Sequence, residues 1–286
     1  MNIIDIHSHW GTKRGYPLQT DEELAQQRRT WNSDPRFHTE LEMVQHFRDN
    51  DVRTILDFGF TKFMNPSESK DLHDYAFEVQ RMSGGRIIGH WIHVDPNKGV
   101  AALSELRRCI DKAPGFIGLG VNGSGGPDPS EPAWFPFYDL CTEAGVPALV
   151  FVGTTGLGAG LPGGAGILLE QCHPRHLDFV AARFPKLKIV AARAGWPWQS
   201  EVIAVLMHKR NIWYELHGWS PKYFTPDLKH EISRRLRGRV LFGADYPLYT
   251  YDRLRRDWLA EGYAQDVLED VFFRNAERFL TEMERT

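Results

Sequence analysis

Runs of apolar, often β-branched residues recur along this chain, separated by stretches whose apolar residues fall three and four positions apart. Runs of the first kind are typical of strands buried on both faces, and stretches of the second kind are typical of amphipathic helices. The pattern predicts eight strands, over residues 3–6, 54–58, 87–94, 116–121, 147–152, 187–192, 212–216 and 240–243. Strands that alternate with helices in this way predict a parallel sheet covered by helices.

The number of units favours a closed barrel over an open sheet. Eight strand–helix units in about 250 residues are typical of a (β/α)8 TIM barrel. No Gly-x-Gly-x-x-Gly motif follows the first strand, which argues against a doubly wound dinucleotide-binding sheet. We therefore predict a single TIM-barrel catalytic domain over residues 1–286. The Gly-rich segment 153–166 and the segment 122–132 directly follow strands, which predicts loops on the carboxyl rim, where TIM-barrel active sites lie.

Composition and charge narrow the class of protein. The 286 residues are 42% hydrophobic and 25% charged, which is ordinary for a globular enzyme and argues against disorder. The 34 basic and 37 acidic residues give a net charge of −3, and no long basic run suggests a nucleic-acid partner. No apolar stretch approaches the roughly 20 residues needed to cross a bilayer. Three widely spaced cysteines argue against a disulfide framework, so we expect a cytoplasmic protein with no membrane partner.

The first predicted strand ends in His7-Ser8-His9. Residues two apart on a strand share a face, so both imidazoles are expected to project toward the barrel axis as a chelating pair for a divalent metal. Asp245 ends the eighth predicted strand, in Gly-Ala-Asp-Tyr-Pro. Because the first and eighth strands are neighbours in a closed barrel, Asp245 is expected beside the histidines, as a metal ligand or as a proton acceptor.

An ordered series of segments resembles the amidohydrolase-related family, whose members include aminocarboxymuconate-semialdehyde decarboxylase. The segments are His7-Ser8-His9, Gly153-Thr154-Thr155-Gly156, Ala194-Gly195-Trp196-Pro197-Trp198, Gly218-Trp219-Ser220-Pro221-Lys222-Tyr223 and Gly243-Ala244-Asp245-Tyr246-Pro247. The resemblance implies a TIM barrel with a catalytic divalent metal held by the first His-x-His pair and the last aspartate. Relatives are often homodimers, and the sequence leaves the oligomeric state of this chain open.

Two ligands of that family have no counterpart here. Phe151 stands where relatives carry a histidine on the fifth strand, and Arg193 stands where they carry one on the sixth. A phenyl ring has no lone pair to donate, and a guanidinium stays cationic, so neither side chain binds a metal. We expect both to face the substrate instead.

Other strands supply possible replacements. Glu215 and His217 share one face of the seventh strand, next to the eighth, and the third strand carries His90 and His93. His90 and His93 are three apart and face opposite ways, so at most one of them points inward. The predicted metal ligands are therefore His7, His9, His217, Asp245 and Glu215 with His93 or His90, and Asp245 and Glu215 are the predicted catalytic residues.

Nitrogen donors mixed with carboxylates suit iron and manganese as well as zinc, and can hold two ions. The lost and gained ligands resemble, more loosely, a branch of TIM-barrel nonheme diiron monooxygenases of secondary metabolism. That resemblance implies two irons, dioxygen, an electron donor, and hydroxylation of a bulky apolar acyl or terpenoid substrate, including coenzyme A thioesters. The alternatives are a hydrolase, decarboxylase or hydratase using zinc or manganese, and a binding protein that has lost its metal. Aromatic side chains near the strand ends suggest a pocket for a small molecule, lined by Arg193, Phe151, Trp10, Trp196 and Trp219.

Overall fold

The computed structural model of the protein describes residues 2–16, 18, 20–32 and 36–284. The strands within these residues are β1 (Ile3–Ser8), β2 (Val52–Asp57), β3 (Ile87–His93), β4 (Phe116–Val121), β5 (Ala148–Phe151), β6 (Ile189–Ala192), β7 (Ile212–Glu215) and β8 (Val240–Leu241). The α-helices are α1 (Asp21–Trp31), α2 (Glu40–Asp49), α3 (Pro66–Met82), α4 (Val100–Lys112), α5 (Phe135–Ala144), α6 (Pro174–Arg183), α7 (Gln199–His208), α8 (Pro226–Ile232), α9 (Tyr251–Ala260), α10 (Gln265–Glu269) and α11 (Asn275–Glu284). None of the described helices is long and apolar enough to cross a membrane.

The strands form one parallel sheet in the order β1 to β8. Backbone hydrogen bonds then join the last strand to the first. The amide of Ile6 donates to the carbonyl of Phe242 at 2.9 Å, and the amide of Asp245 donates to the carbonyl of His7 at 3.0 Å. The predicted (β/α)8 TIM barrel is therefore confirmed, because a doubly wound sheet has two free edges.

Two layers of apolar side chains form the core. One lies between the outer faces of the strands and the helices, and the other fills the interior of the barrel. Trp91 is fully buried in the interior, where its Nε1 donates to the carbonyl of Ile6 at 2.7 Å. Gly118 on the neighbouring β4 makes room for it, because a Cβ at this position would lie 2.2 Å from the indole. Pairing a large indole with a glycine on the next strand keeps the barrel interior close-packed, at the packing density of organic crystals.

The carboxy-terminal helix closes the amino-terminal end of the barrel. Phe279 of α11 packs against Phe116 at a ring separation of 6.0 Å and against Trp213 at 5.5 Å. The sequence predicts one amphipathic helix over residues 264–286. The structure instead has α10, a π-helical turn over Asp270–Arg274 and then α11, while residues 285 and 286 lie outside the described part.

A long insertion after β1 covers the opposite, carboxyl end. It contains α1, whose first turn is fixed by Thr20 and Glu23, each of which caps the other's backbone amide. Trp31, at the end of α1, contacts the Gly-rich loop after β5, where a Cβ on Gly156 would lie 3.1 Å from the indole. Since β1 and β5 stand on opposite sides of an eight-stranded barrel, α1 lies across its mouth.

Candidate metal centre

The end of β1 places two imidazoles together, as the sequence predicts. The rings of His7 and His9 lie 5.3 Å apart. His7 is fully buried, and neither of its ring nitrogens has a hydrogen-bond partner among the described residues. Two unsatisfied polar atoms on one buried side chain are unusual, because each costs about 1–3 kcal/mol of desolvation. Such an imidazole is suited to donating a lone pair to a bound cation.

Asp245 follows β8 and faces this pair. Its Oδ1 lies 3.1 Å from Nε2 of His9. The backbone of Asp245 is left-handed, with φ of 58°, and the same holds for Arg193 after β6, with φ of 76°. Residues other than glycine rarely adopt this conformation, which costs on the order of 1–3 kcal/mol and is concentrated at functional sites. Both residues are at strand ends, where the conformation turns their side chains toward the same cluster.

Asp57, at the end of β2, lies at the centre of the cluster. Its Oδ2 is 2.7 Å from Nε2 of His93 and 3.8 Å from Nε2 of His7, and its Oδ1 is 3.6 Å from Nδ1 of His9. Asp57 is not among the ligands predicted from the sequence. The signal was present, because Asp57 is an acidic residue at the end of an apolar predicted strand, which is the criterion that selects Asp245.

The two histidines of β3 are separated by the strand, and only one joins the cluster. His93 bonds to Asp57, and this contact requires the proton on Nε2 because an ionised carboxylate only accepts. His90 points outward, against the rings of Trp10, Phe58 and Phe77. Predicting His90 as a ligand is therefore wrong for this structure, because the pleat of β3 directs its side chain away from the barrel interior.

β7 supplies Glu215 and His217, which face inward together. Nδ1 of His217 lies 2.5 Å from Oε2 of Glu215, and Oε2 is 3.7 Å from Nδ1 of His7. The ring of His217 stacks on that of His7 at a centroid distance of 3.7 Å. The replacement ligands predicted on this strand thus lie beside the pair on β1.

Arg193 and Phe151 occupy the part of the site where the family's missing ligands would be. Nε of Arg193 donates to Nε2 of His217 at 3.3 Å, and Nη1 donates to the carbonyl of Thr154 at 2.9 Å. The guanidinium lies 4.8 Å from the centre of the Phe151 ring, in cation–π geometry. Phe151 also packs edge-on against His7 at 5.5 Å. These two residues form one wall beside the cluster.

The predicted aromatic pocket residues differ in position. Trp10 is fully buried and stacks on Phe58 at 4.9 Å, so it belongs to the packing under the rim, and its prediction as a substrate contact is wrong for this structure. Trp196 is 46% exposed, and its ring lies 5.7 Å from that of Trp219. These two indoles lie on the carboxyl rim, after β6 and β7, and are the ones placed to meet a molecule entering the barrel.

Glycines on β4 and β8 make room for the cluster. A Cβ at Gly120 would lie 1.9 Å from Nε2 of His93, and one at Gly243 would lie 1.8 Å from Oε1 of Glu215. Both positions face inward, so the neighbouring strands carry no side chain at the levels of His93 and Glu215. A glycine facing the interior of a predicted barrel strand is a signal that locates the bulky site residues on its neighbours.

The charges in the cluster are set by its own hydrogen bonds. Burial alone would raise the pKa of Asp57 and of Asp245. For Asp57 the charge and hydrogen bond of His93 lower the pKa well below the usual range, and for Asp245 the bond from His9 brings the pKa to about 2. Burial raises the pKa of Glu215, against the opposing effect of His217. Burial, with the nearby His217, lowers the pKa of His7, which keeps this ring neutral and able to donate.

These residues fit a divalent cation. Ligand atoms of His7, His9 and Asp57 lie within 4.8 Å of one another, and so do those of His7, Glu215 and His217. The two groups share His7, whose ring nitrogens both lack a hydrogen-bond partner among the described residues. Neutral imidazoles combined with carboxylates form a donor set for zinc, manganese or iron. Arg193 already occupies Nε2 of His217, so this ring has no nitrogen free of a protein partner.

Solved structures share this fold. The chain is similar to a 2,6-dihydroxybenzoate decarboxylase from Rhizobium (TM-score 0.72, 14% identity, covering 98% of this chain and 99% of that one). It is also similar to a TIM-barrel protein from Bordetella bronchiseptica (0.71, 18%, all of both chains). A third is a dihydroxybenzoic acid decarboxylase from a Polaromonas species, solved with manganese and the inhibitor 2-nitroresorcinol (0.71, 15%, 98% and 97%). At these identities the likeness establishes the fold.

The sequence itself matches a family. A search of curated proteins finds no match. Residues 4–281, nearly the entire chain, match the amidohydrolase family, which confirms the resemblance carried by the five sequence segments. Members of this family are metal-dependent enzymes, so the expectation of an enzyme is confirmed at this level, while the monooxygenase branch stays a prediction. This chain belongs to the amidohydrolase family.

Proposed function

We propose that this protein is a metal-dependent enzyme that acts on a carboxylated small molecule without using dioxygen, as a decarboxylase, hydratase or hydrolase. The observation that carries this proposal is His7. Among the described residues this fully buried imidazole has no hydrogen-bond partner on either nitrogen, and unlike His90 it stands beside two carboxylates, those of Asp57 and Glu215. An imidazole in these surroundings is suited to binding a cation. Loss of the metal, as in a binding protein, would leave these groups with uncompensated burial costs.

The ligands proposed for the cation are His7, His9, Asp57 and Asp245, with Glu215 and His217 nearby. When bound, such an ion supplies a Lewis acid and lowers the pKa of bound water. His93 holds the carboxylate of Asp57 through its Nε2 proton, and a group that orients a ligand in this way normally matters for metal affinity. Glu215 holds His217 in the same manner, at the other side of His7.

Asp245 is the proposed proton acceptor. Its low pKa keeps it ionised near neutral pH, and His9 fixes its Oδ1. In hydrolysis Asp245 takes a proton from water as the new C–O bond forms, and returns it to the leaving group. In decarboxylation it takes a hydroxyl proton from the substrate and returns a proton to the carbon from which CO2 departs. The carbon–carbon electron pair stays on that carbon until it is protonated.

Arg193 is the proposed anchor for the substrate carboxylate. Its guanidinium stands beside the cluster with two of its five N–H groups used in the contacts above, and arginine recognises carboxylates with paired hydrogen bonds. Two structural neighbours are named as decarboxylases of 2,6-dihydroxybenzoate and 5-carboxyvanillate, and a third is named as a probable hydrolase of 2-pyrone-4,6-dicarboxylic acid. A carboxylated substrate for this chain is consistent with those names and with the positive charge of Arg193 after β6.

A second candidate is a diiron monooxygenase. The specific observation that favours it is that two donor groups overlap at His7, while carboxylates come from β2, β7 and β8. Carboxylate-rich sites that hold two ions are typical of diiron proteins. Phe151 presents an apolar wall at 5.5 Å from His7, as an oxidising centre requires.

Elemental analysis of protein purified without added metal separates these functions. The proposed lyase or hydrolase holds zinc or manganese, and releases CO2 or hydrolysed product from carboxylated phenols and cyclic esters under argon. Two irons per chain, with turnover only when dioxygen and a reductant are present, would favour the monooxygenase. Protein that binds no divalent metal, and whose His9→Ala variant behaves like the wild type in metal titrations, would overturn both.

A further inference from the structure

A second positively charged side chain, in addition to Arg193, lies near the cluster, on the turn that follows Asp57. Lys62 belongs to the 3-10 turn Gly59–Phe63 and is 9% exposed. Its Nζ donates to the carbonyls of Asn122 at 2.9 Å and Ser124 at 2.6 Å, both in the loop after β4. Within the described residues, no carboxylate lies within 4.0 Å of this ammonium group. Two of its three protons are therefore used on neutral acceptors, and its charge has no adjacent counter-ion.

Burying an ammonium group without a counter-ion costs free energy of folding, and a lysine with a purely structural role is rarely buried without one. Burial lowers the pKa of Lys62 to about 8, which leaves it largely charged at neutral pH. Besides burial, Cys172 and Asp57 favour the charged form of Lys62, and Arg193 opposes it. Lys62 therefore shares the electrostatic environment of the proposed metal ligands and of the proposed carboxylate anchor.

Arg193 has the same deficit. Its bonds go to the neutral acceptors His217 and Thr154, and no carboxylate in the described part of the chain lies within 4.0 Å of its guanidinium. The loops that hold the two cations are joined, because Cys172 contacts Oγ of Ser124 at 3.2 Å through its sulfur and accepts from the amide of Gly153 at 2.8 Å through its carbonyl. Lys62 and Arg193 thus lie on joined loops at one rim, and each makes its direct hydrogen bonds to neutral acceptors.

We infer that Lys62 is a second anion-binding residue, which together with Arg193 selects substrates that carry two anionic groups, such as dicarboxylates. One carboxylate binds Arg193, and the other accepts the third proton of Lys62. A monoanion would compensate only one of the two cations. This inference rests on the proposed function, because it assigns the substrate class of the same site, and it adds a specificity residue from the β2 loop.

The test compares matched mono- and dicarboxylates as ligands of the full-length, metal-loaded protein. We would titrate benzoate against isophthalate, and pentanoate against glutarate, by calorimetry at pH 7. The wild type is expected to bind each dicarboxylate at least tenfold more tightly than its partner. Lys62→Met is expected to remove that preference and leave monocarboxylate affinity unchanged, while Lys62→Arg keeps the preference. Lys98→Met, on the exposed turn after β3, is the matched control and should behave like the wild type.

Equal affinity of the wild type for both members of each pair would overturn the inference without any variant. So would a Lys62→Met protein that is folded by circular dichroism and retains the preference. If Lys62→Met fails to fold, Lys62→Gln and the wild-type comparison carry the test. Failure of the proposed function is a different result, in which the protein holds no metal or binds no carboxylate of either kind.

Discussion

The guanidinium of Arg193 donates from Nε to Nε2 of His217 across 3.3 Å. A guanidinium has no acceptor, so His217 must accept at Nε2 and carry its proton on Nδ1, where Oε2 of Glu215 lies 2.5 Å away. This chain of three residues fixes the tautomer and the plane of a ring that stacks on His7. Arginine at this position thus leaves His217 with both ring nitrogens bonded to protein groups, so neither has a lone pair available for a metal.

Replacing Arg193 by Gln is expected to strengthen metal binding. The substitution removes a positive charge beside the donors and frees Nε2 of His217. Relieving such a repulsion is worth about 1–3 kcal/mol, which corresponds to roughly 5- to 150-fold in affinity. Competition with a chelating dye for zinc or manganese measures the change. Arg14→Gln removes an exposed arginine from the insertion after β1 and should leave the metal affinity unchanged. Weaker binding by Arg193→Gln would contradict the assigned geometry.

His93 and His90 allow a matched comparison on one strand. His93→Phe removes the proton that holds Oδ2 of Asp57 and is expected to lower metal affinity by about 10- to 100-fold. His90→Phe places a phenyl ring among aromatic rings, where burial already keeps the imidazole neutral by lowering its pKa to about 3. Its metal affinity should equal that of the wild type, with thermal stability unchanged or higher.

Metal counts and dye competition on both variants give the result. If His90→Phe loses metal and His93→Phe keeps it, then the assignment of the two faces of β3 is wrong. Folding is checked by circular dichroism and thermal melting, since each residue is fully buried. The same substitution at both positions removes differences in side-chain volume as an explanation.

The barrel was predictable because its signals are local. Eight apolar strands at regular spacing repeat the same information, and an error in one of them does not change the architecture. The ends of β1 and β8 were also predictable, since closure of any eight-stranded barrel brings His7 and Asp245 together. Boundaries were the weaker part: β8 was expected over residues 240–243 and is observed as Val240–Leu241.

The site residues on the inner strands are harder to predict from the sequence, because their role depends on which face of each strand points into the barrel. His90 and His93 differ only in that respect, and the sequence shows no alternation that would separate them. The donors lost from the family's set lie on strands five and six, and that pattern carries no information about Asp57 on strand two. The position of Trp10 next to His9 in the sequence likewise does not reveal that its ring turns back onto Phe58.

Gly120 is predicted to be intolerant of any side chain. A methyl group there would lie 1.9 Å from Nε2 of His93, whose ring is fully buried and would have to displace other side chains in order to move. Gly120→Ala should therefore cost roughly 1–3 kcal/mol of unfolding free energy and lower metal affinity, because His93 is pushed off Asp57. Gly126→Ala, where nothing lies within 4 Å, is the control and should change neither quantity. Chemical denaturation and metal titration measure the two effects, and an unchanged Gly120→Ala would contradict the packing described for β4.

A buried ion cluster outside the barrel predicts a pH dependence of stability. Glu105 accepts from both Nε and Nη2 of Arg108, each at 2.7 Å, and lies 2.7 Å from Nδ1 of His73, which ties α4 to α3. Burial alone would raise the pKa of Glu105, but these bonds lower it to about 2, from an ordinary value of 4.5. A carboxyl whose pKa is lowered on folding stabilises the protein above its unfolded pKa, and that contribution is lost as the pH falls.

Glu105→Gln should therefore be less stable than the wild type at pH 7, and the difference between the two should shrink as the pH falls from about 4.5 toward 2. Urea denaturation at a series of pH values between 7 and 3 gives the two free energies of unfolding. Glu22→Gln, on the exposed face of α1, should track the wild type throughout. A stability difference that stays constant down to pH 3 would mean that Glu105 acts through packing rather than through its charge. The pH series distinguishes the two roles because loss of packing does not depend on protonation, whereas loss of the charge does.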